Sequence, residues 1–373
     1  MRIGVPKEIK SAELRVGLTP TSVRELARDG HQIFVETGAG MGVDSSDEAY
    51  RAAGAEIATN AAEIFECAEL IVKVKEPQAA ERAFLQPHHT LFTYLHLAPD
   101  AEQTKDLVAS GATCIAYETV TDGAGGLPLL TPMSQVAGRM SIQAGATSLE
   151  STRGGAGLLL GGVPGVAPAK VVVLGGGVVG MNAIQMALGL GADVTVLDRD
   201  TGVLESLCSR FGAGLRTVFS TSDAIETLVL DADLVIGAVL VRGAAAPHLV
   251  TARHIKQMRR GSAVVDVAID QGGCFETSRP TTHERPTYLV DEVVHYCVAN
   301  IPGAVPKTST YALNHATLPF VQQLANRGIH AALSTNPNLR DGLNVTNGVV
   351  TEPAVALALG YDYTDPILAL ESH

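Results

Sequence analysis

Short apolar runs alternate with longer amphipathic stretches along most of the chain. The runs are rich in Val, Ile and Leu, which is typical of strands buried in a parallel sheet. In the first part of the chain they predict strands at residues 2–5, 32–36, 71–74, 91–94 and 114–116. Strands that alternate with helices predict an α/β domain with helices on both faces of its sheet.

The ends of the predicted helices are marked by residues that favour them. Thr19 can cap the first helix, Pro20 suits its first position, and Gly30 suits the residue after its end. Further helices are predicted at residues 61–70, 101–110 and 132–152, and the segment rich in Gly and Pro at 154–168 predicts a loop.

Residues 170–198 have the order of elements of a dinucleotide-binding unit. The elements are an apolar strand at 170–174, a helix at 181–190 and a second apolar strand at 193–197. Between the first strand and the helix, Gly175, Gly177 and Gly180 fit the spacing G-x-G-x-x-G, and Asp198 ends the second strand. The pattern predicts a dinucleotide site, and the alternative is a glycine-rich loop that binds no ligand.

The spacing of these residues follows from the chemistry of a pyrophosphate. The first glycine allows a tight turn, the second lets the phosphates approach the backbone, and the third lets the helix pack against the sheet. The amino end of the helix then presents N–H groups to the phosphates. An acid at the position of Asp198 can accept the ribose hydroxyls.

The end of the chain indicates how the domains are connected. Beyond the nucleotide-binding pattern we predict a helix at 202–211 and strands at 234–238, 263–268 and 288–290. The tail from 307 shows two helical stretches, 317–326 and 352–359, and almost no strand pattern. Because such a tail cannot easily bury a core of its own, we expect it to complete the first domain.

The predicted fold class is therefore α/β, with two doubly wound Rossmann-like domains. The dinucleotide-binding domain, at 129–306, is expected to be inserted into a substrate-binding catalytic domain formed by 1–128 and 307–373.

Composition excludes several classes of partner. The formal net charge is −12 and there is no long basic run, which argues against nucleic acid. No apolar stretch is long enough to span a membrane, and the charged first residues are not a signal peptide. The five widely spaced cysteines indicate reduced thiols in a cytoplasmic protein. We predict no metal site, because the histidines lack metal-ligand spacing.

Four polar residues near predicted strand ends are candidates for chemistry, since ligands of parallel α/β sheets bind at the carboxyl ends of strands. Lys75 and His96 follow strands of the first domain, and Asp270 follows a strand of the second. Arg15 precedes the first helix and can clamp a carboxylate. Each residue also has a structural alternative: His96 as a structural histidine, Arg15 as a packed surface side chain and Asp270 as a residue that only forms a turn. For Lys75 the alternative is a solvated lysine, since either Lys73 or Lys75 is expected to face solvent.

Longer motifs around these residues resemble those of bacterial L-alanine dehydrogenases. The matching segments are PKE at 6–8, ELRV at 13–16, KVKEP at 73–77, LFTYLHL at 91–97, AYETV at 116–120, GGVPGV at 161–166, DQGGC at 270–274 and VANIPGAVP at 298–306. The resemblance extends from residue 1 to about residue 360. Several motifs are shared with the nucleotide-binding subunit of proton-translocating transhydrogenase.

The resemblance implies roles for single residues. Arg15, Lys75 and Asn300 are implied to bind the substrate, His96 to be the acid/base, and Asp270 to take part in proton transfer. The residues expected to contact the dinucleotide, from the glycine motif and the resemblance together, are Ser134, Gly175, Gly177, Val178, Val179, Gly180, Asp198, Ser220, Val239, Leu240, Val267, Ala268, Ile269, Asp270, Val298, Asn300 and Ile301.

The implied activity is the reversible NAD-dependent oxidative deamination of L-alanine to pyruvate, ammonium and NADH, in a homohexamer. The sequence departs from many relatives at Arg199, a positive charge after the ribose-binding acid that can attract the extra phosphate of NADP. Two other functions remain open: a transhydrogenase subunit without an amino-acid substrate, and a non-catalytic module that senses NAD and binds a protein partner.

Overall fold

The computed structural model describes residues 1–239 and 246–371, and within them strands and helices alternate as predicted. The strands are Arg2–Val5 (β1), Gln32–Glu36 (β2), Ala55–Ala58 (β3), Leu70–Val72 (β4), Thr90–Thr93 (β5), Thr113–Ala116 (β6), Lys170–Leu174 (β7), Asp193–Asp198 (β8), Leu215–Phe219 (β9), Leu234–Gly237 (β10), Ala263–Asp266 (β11), Thr287–Val290 (β12), Val293–Tyr296 (β13), Leu343–Thr346 (β14) and Val349–Val350 (β15).

The α-helices are Pro20–Arg28 (α1), Asp47–Ala53 (α2), Ala61–Cys67 (α3), Ala79–Arg82 (α4), Ala101–Ser110 (α5), Thr131–Ser148 (α6), Val178–Gly189 (α7), Thr201–Phe211 (α8), Ser222–Asp231 (α9), Ala252–Gln257 (α10), Pro306–Arg327 (α11), Ile329–Thr335 (α12), Pro337–Arg340 (α13), Pro353–Leu359 (α14) and Pro366–Glu371 (α15). Within the described ranges no helix is both long and apolar enough to cross a membrane.

The chain divides into two compact units. Unit 1 comprises Met1–Met133 and Val305–His373, and unit 2 comprises Ser134–Ala304. Unit 2 is therefore inserted in the sequence of unit 1.

The sheet of unit 1 has the strand order β15-β14-β6-β5-β4-β1-β2-β3. Strands β1 to β6 are parallel and run in the order 3-2-1-4-5-6, so the sheet is doubly wound about the neighbours β1 and β4. β14 pairs antiparallel with β6, and β15 pairs antiparallel with β14.

The sheet of unit 2 has the order β12-β13-β11-β10-β7-β8-β9, which repeats the doubly wound arrangement. Only the edge strand β12 is antiparallel to its neighbour. In β7, Val171 and Val173 face one apolar core while Val172 and Leu174 face the other, as expected for a strand covered on both faces. The predicted fold class, with two doubly wound domains and one inserted into the other, is confirmed.

The prediction that the tail has almost no strand pattern is wrong, because β14 and β15 extend the sheet of unit 1. β14 is short and carries polar residues, yet it is fully buried. Asn344 donates to the hydroxyl of Thr119 at 2.8 Å, and the hydroxyl of Thr346 lies 3.1 Å from that of Thr113. These hydrogen bonds, to β6 and to the 3₁₀-helix Tyr117–Thr119 that follows it, allow burial of residues that would otherwise favour a loop.

Helix α11 begins at Pro306, well before the predicted start at residue 317. Its first half is polar, but Ser309, Thr310 and Asn314 are buried. Asn314 accepts a hydrogen bond from the backbone N–H of Thr19 at 3.1 Å. The buried face of the helix is thus stabilised by polar contacts, and the apolar periodicity used for the prediction misses it.

Candidate active site

Four neighbouring parallel strands of unit 1 place polar residues at one edge of the sheet. β1, β4, β5 and β6 lie side by side, and their carboxyl ends are followed by Glu8, Lys75, His96 and Glu118 respectively. The hydroxyl of Thr93 donates to the carbonyl oxygen of Lys75 at 3.0 Å and so links the segment after β4 to the end of β5. The structure brings the predicted Lys75 and His96 to the same edge.

Lys73 is fully buried, which corrects the expectation that either Lys73 or Lys75 faces solvent, since Lys75 is also half-buried. The Lys73 ammonium group lies 3.2 Å from Glu8 and 2.6 Å from Glu81, and both carboxylates are buried with it. Glu8 also accepts hydrogen bonds from the backbone N–H groups of Val74 at 2.7 Å and Lys75 at 3.3 Å. A buried ion network therefore fixes the backbone at Lys75.

Burial and charge act in opposite directions in this network. Burial raises the pKa of Glu8, and Lys73 and the Val74 N–H group only partly offset it. For Lys73, burial disfavours the charged form, but Glu8 and Glu81 outweigh it and hold the pKa of the ammonium group above its ordinary value. Lys73 is therefore a structural cation.

His96 has a left-handed backbone, with φ of +51°, and 44% of its side chain is exposed. Its N–H group donates to Oε1 of Glu118 at 2.6 Å, and the N–H group of Leu95 donates to the same oxygen at 3.1 Å. Nδ1 of His96 lies 3.7 Å from Oε1 of Glu118. The imidazole stacks on the ring of Tyr94 with their centroids 5.8 Å apart. An exposed imidazole on a fixed backbone is able to exchange protons with a ligand.

Arg15 is not a surface residue, since it is only 2% exposed. Its Nε and Nη2 atoms donate to the two carboxylate oxygens of Glu13 at 2.7 and 2.6 Å, which is a bidentate pair. Nη1 donates to the sulfur of Met133 at 3.0 Å. Burial opposes the positive charge, but the contacts with Glu13 dominate and raise the pKa of the guanidinium. Arg15 is therefore a permanent, oriented cation.

In unit 2, two glycines of the motif at 175–180 are explained by the fold itself. Gly175 has φ of +99°, and a methyl group on it would lie 2.8 Å from the carbonyl oxygen of Ala238. A methyl group on Gly180 would lie 1.8 Å from the carbonyl oxygen of Gly175. These positions require glycine for the turn and for close packing of α7.

Gly177 differs from both, because a methyl group there would meet no protein atom within 4 Å. Its φ of −65° and ψ of −162° do not demand glycine either. It is the N-cap residue of α7, and no side chain caps that helix, which continues with Val178 and Val179. The open space lies where a pyrophosphate would approach the helix in a dinucleotide site.

Asp198 ends β8 beside this loop. One carboxylate oxygen accepts the N–H group of Gly176 at 2.6 Å, and the other accepts that of Asp200 at 2.9 Å. Ser220 follows the adjacent strand β9, and its N–H group donates to the carbonyl oxygen of Asp198 at 2.9 Å. Arg199 is exposed. The structure therefore gathers the predicted acid, serine and glycines at one edge of the sheet.

Ser134 is half-buried in the first turn of α6. It lies one turn before Gly138, on which a methyl group would be 2.2 Å from the carbonyl oxygen of Val179. The face of α6 that carries Ser134 is thus the face that packs against α7.

The other residues predicted to contact the dinucleotide follow β10, β11 and β13, and they do not all present side chains. Val239 follows β10, and Leu240 lies outside the described residues. The side chains of Val298, Ile301 and Ala268 are buried in the apolar cores of unit 2, and that of Ile269 is also buried. At these four positions the backbone is therefore the part expected to face a ligand. Val267 is half-buried.

The segment that carries Asp270 turns out of the sheet earlier than predicted. β11 ends at Asp266, and a 3₁₀-helix, Val267–Gln271, replaces the last two residues of the predicted strand. Asp270 is exposed on this helix.

Asp266 fixes the backbone that follows β11. It is fully buried and accepts hydrogen bonds from Ala268 N–H at 3.2 Å, Cys274 N–H at 2.9 Å and the Ser278 hydroxyl at 2.5 Å. Burial raises the pKa of Asp266, and these donors only partly offset it.

Asn300 has a left-handed backbone with φ of +68°. Its carbonyl oxygen accepts the N–H group of Gly303 at 2.9 Å and lies 3.1 Å from Nε2 of His283. Its half-buried side chain lies after the carboxyl end of β13, at the same edge of the sheet as the nucleotide-binding pattern.

Sequence reasoning missed the acids that hold these loops in place, namely Glu8, Glu13, Glu118 and Asp266. Glu8, Glu13 and Glu118 lie in the motifs on which the family resemblance rests. No local sequence pattern indicates, however, that their partners are backbone N–H groups or a nearby cation.

Among residues 1–239 and 246–371, no group of three or more His, Cys, Asp or Glu side chains is placed to hold a metal ion.

Comparison with known proteins places the whole chain in one family. Residues 4–137 match the family profile described as alanine dehydrogenase/PNT, N-terminal domain, and residues 141–353 match the profile of its C-terminal domain. The alanine dehydrogenase of Halomonas elongata is 60% identical over 365 residues, covering 98% of either chain. That of Bacillus subtilis is 53% identical over 372 residues, covering 100% of this chain and 98% of the relative.

Solved structures agree with this assignment. An L-alanine dehydrogenase structure superposes with a TM-score of 0.94 at 54% identity, over 96% of this chain and 99% of that one. A transhydrogenase from Sinorhizobium meliloti shares the fold, with a TM-score of 0.80 at 24% identity, over 95% of this chain and 100% of that one. The chain therefore belongs to the alanine dehydrogenase/PNT family.

Proposed function

We propose that this protein catalyses the reversible NAD-dependent oxidative deamination of L-alanine to pyruvate, ammonium and NADH. The names of relatives at 50–60% identity over nearly the full chain support an amino-acid substrate. The observation that supports a dinucleotide-dependent redox reaction is Gly177, a glycine that neither the packing nor the backbone conformation of the chain requires. A bound pyrophosphate explains it, because the phosphates need the space that a side chain would fill.

The residues of unit 2 fit a nicotinamide dinucleotide. The uncapped amino end of α7 suits its phosphates, and Asp198 suits the ribose hydroxyls. The dinucleotide, when bound, supplies the hydride acceptor for oxidation and the donor for the reverse direction. We assign NAD rather than NADP, since the negative charge of Asp198 repels a ribose phosphate, and Arg199 permits at most slight use of NADP.

We assign substrate binding to Arg15, Lys75 and Asn300. Arg15 is a buried cation held in one orientation by Glu13, which suits a carboxylate whose position must not vary. Lys75 offers a point charge for the oxygen that becomes the ketone, and its backbone is fixed by Glu8. Asn300 supplies amide groups to the same substrate.

Proton transfer is assigned to His96 and Asp270. Water must add to the imine carbon formed from alanine, and a group near the carbon must take a proton from it. An imidazole can do so at neutral pH and can return the proton in the reverse direction. The exposed side chains of His96 and Asp270 can reach a ligand without rearrangement of the core.

We further propose that the enzyme acts in the cytoplasm as a homohexamer, without metal, membrane or nucleic acid.

The test is an initial-rate assay with purified protein, in which NADH oxidation is followed on addition of pyruvate and ammonium together. Turnover that needs both, and that reverses with L-alanine and NAD, supports the proposal. Hydride exchange between NADH and oxidised nucleotide without either substrate would point to a transhydrogenase subunit instead. Dinucleotide binding with no turnover on any small amino acid would point to a sensing module.

A further inference from the structure

The loop that carries His96 is held at both its amide and its carbonyl side by polar side chains. Glu118 accepts the N–H groups of Leu95 and His96, at 3.1 and 2.6 Å. The side-chain amide of Gln103 donates to the carbonyl oxygen of Leu95 at 2.6 Å, and the hydroxyl of Thr104 donates to that of Leu97 at 3.1 Å.

These contacts hold a backbone conformation that few residues adopt. His96 lies in the left-handed region at φ of +51°, while Leu95 and Leu97 on either side are buried. Left-handed residues other than glycine persist where their surroundings determine the conformation, and they are enriched at functional sites. The result is that, among residues 94–97, only His96 has an exposed side chain.

Glu118 does more than hold the backbone, because its carboxylate also faces the imidazole. Oε1, which accepts both N–H groups, lies 3.7 Å from Nδ1 of His96. A hydrogen bond from Nδ1–H to this oxygen, formed by rotation of the ring, would leave Nε2 for the ligand. Gln103 and Thr104 hold the same loop but are neutral.

We propose that Glu118 is a positioning residue for His96, which fixes the ring through Nδ1 and stabilises its protonated form by charge. The inference deepens the proposed function, since it rests on His96 as the acid/base. It assigns the carboxylate of Glu118 a part in setting the pH range of deamination, separate from its part in holding the loop.

Other ionisable groups lie on the elements around this pair. Tyr94 stacks on the ring from the end of β5, and burial raises the pKa of its phenol far above neutral, so it carries no charge. Asp100 accepts the N–H group of Gln103 at the start of α5. Arg15 acts on Tyr94, and Glu352 from the tail acts on Glu118, each through its charge. None of these groups is altered in the variants below.

The test compares two variants of the same loop. Glu118→Gln keeps an oxygen for the two N–H groups but removes the charge, whereas Gln103→Leu weakens the hold on Leu95 and leaves the charge in place. In Glu118→Gln we expect the acidic limb of the kcat/KM profile for alanine to move to lower pH by about half a unit to one unit, as expected for loss of one charge near 4 Å at high dielectric. In Gln103→Leu we expect a lower rate and a lower melting temperature with the limb unmoved.

A second readout does not depend on turnover. Diethyl pyrocarbonate acylates the neutral imidazole, and peptide mass spectrometry follows its reaction at His96 as a function of pH. The His96 profile should move in Glu118→Gln in the same direction as the kinetic limb. Should Glu118→Gln fail to fold, Glu118→Asp replaces it, since its carboxylate lies one methylene farther from the ring, and a smaller shift in the same direction is expected.

An unmoved reaction profile at His96 in the charge-altered variant, or equal shifts in Gln103→Leu, would overturn the role of Glu118. The two proposals fail in different ways. If His96→Ala retains normal turnover, the acid/base assignment is wrong. If His96→Ala is inactive and the Glu118 variants show no shift, only the positioning role is wrong.

Discussion

The ammonium group of Lys73 lies 2.6 Å from the carboxylate of Glu81, and neither side chain is accessible to solvent beyond 2%. Glu8 completes the network on the other side of Lys73. Because the three charges are buried together, removal of one leaves the others without compensation. Glu8 also accepts the backbone N–H groups of Val74 and Lys75. The same network therefore stabilises unit 1 and fixes the backbone that carries Lys75.

Replacement of Lys73 should therefore be strongly destabilising. Lys73→Met leaves two buried carboxylates without a cation, and we expect the free energy of unfolding to fall by about 3–5 kcal/mol. The matched control is Lys170→Met, which breaks an exposed pair with Asp231 and should cost less than about 1 kcal/mol. Urea unfolding followed by circular dichroism measures both, and equal losses would contradict the buried network.

The acid Glu8 makes a prediction about pH. Its pKa is raised in the folded state above the ordinary value of 4.5. A carboxyl with a raised folded pKa binds its proton more tightly in the folded state, so its contribution to stability is present below pH 4.5 and is lost as the pH rises through the folded pKa. Wild type should thus lose stability relative to Glu8→Gln as the pH rises from about 4.5 toward neutrality. Parallel curves of unfolding free energy against pH would show that Glu8 has no raised pKa.

Alanine substitutions at Gly177 and Gly180 separate an effect on dinucleotide binding from an effect on folding. A methyl group on Gly177 meets no protein atom within 4 Å, so Gly177→Ala should fold normally yet bind NADH at least about tenfold more weakly. Gly180→Ala places a methyl group 1.8 Å from the carbonyl oxygen of Gly175 and should lower the melting temperature. Titration of NADH fluorescence and thermal unfolding separate the two effects. Unchanged NADH affinity in Gly177→Ala would contradict the site.

Asp198 and Arg199 set the expected choice between NAD and NADP. Asp198→Ala removes the acceptor for the ribose hydroxyls and the repulsion of a phosphate, so the preference for NAD should shrink mainly through weaker NAD binding. Arg199→Ala should reduce the slight use of NADP and leave NAD nearly unaffected, because Arg199 is exposed. Ratios of kcat/KM for the two nucleotides measure both effects. Comparable values for NAD and NADP in wild type would show that the role assigned to Asp198 is wrong.

Some features of the fold and the site can be predicted from the sequence because a single residue type is required at a single backbone position. The order of elements around β7 and α7 was of this kind, as were Gly175 and Gly180, which the turn and the close packing of α7 require. Gly177 was predicted from the space that a pyrophosphate needs, a requirement of the ligand and not of the chain. The carboxyl ends of β4 and β5 could be predicted too, because apolar runs mark the strands and polar residues follow them.

Other features depend on partners that are distant in sequence, and they were missed for that reason. Lys73 resembles a solvated residue until Glu8 and Glu81 are placed beside it. Glu118 binds backbone N–H groups, which carry no sequence signal. Strand β14 lacks the apolar pattern of a buried strand, because Asn344 is polar and its burial is made possible by a hydrogen bond to Thr119.

Unit 1 is proposed to supply both the cation and the base that act on alanine. Steady-state kinetics of His96→Ala and Arg15→Lys, compared with wild type, test this proposal. We expect His96→Ala to lose turnover by about 10²–10⁴-fold with NADH affinity retained, and Arg15→Lys mainly to raise KM for alanine, since a bidentate donor is replaced by a point charge. Wild type should deaminate alanine faster as the pH rises through the ionisation of its base. Near-normal turnover of His96→Ala with an unchanged pH profile would show that His96 is not the base and would leave Lys75 as the leading candidate.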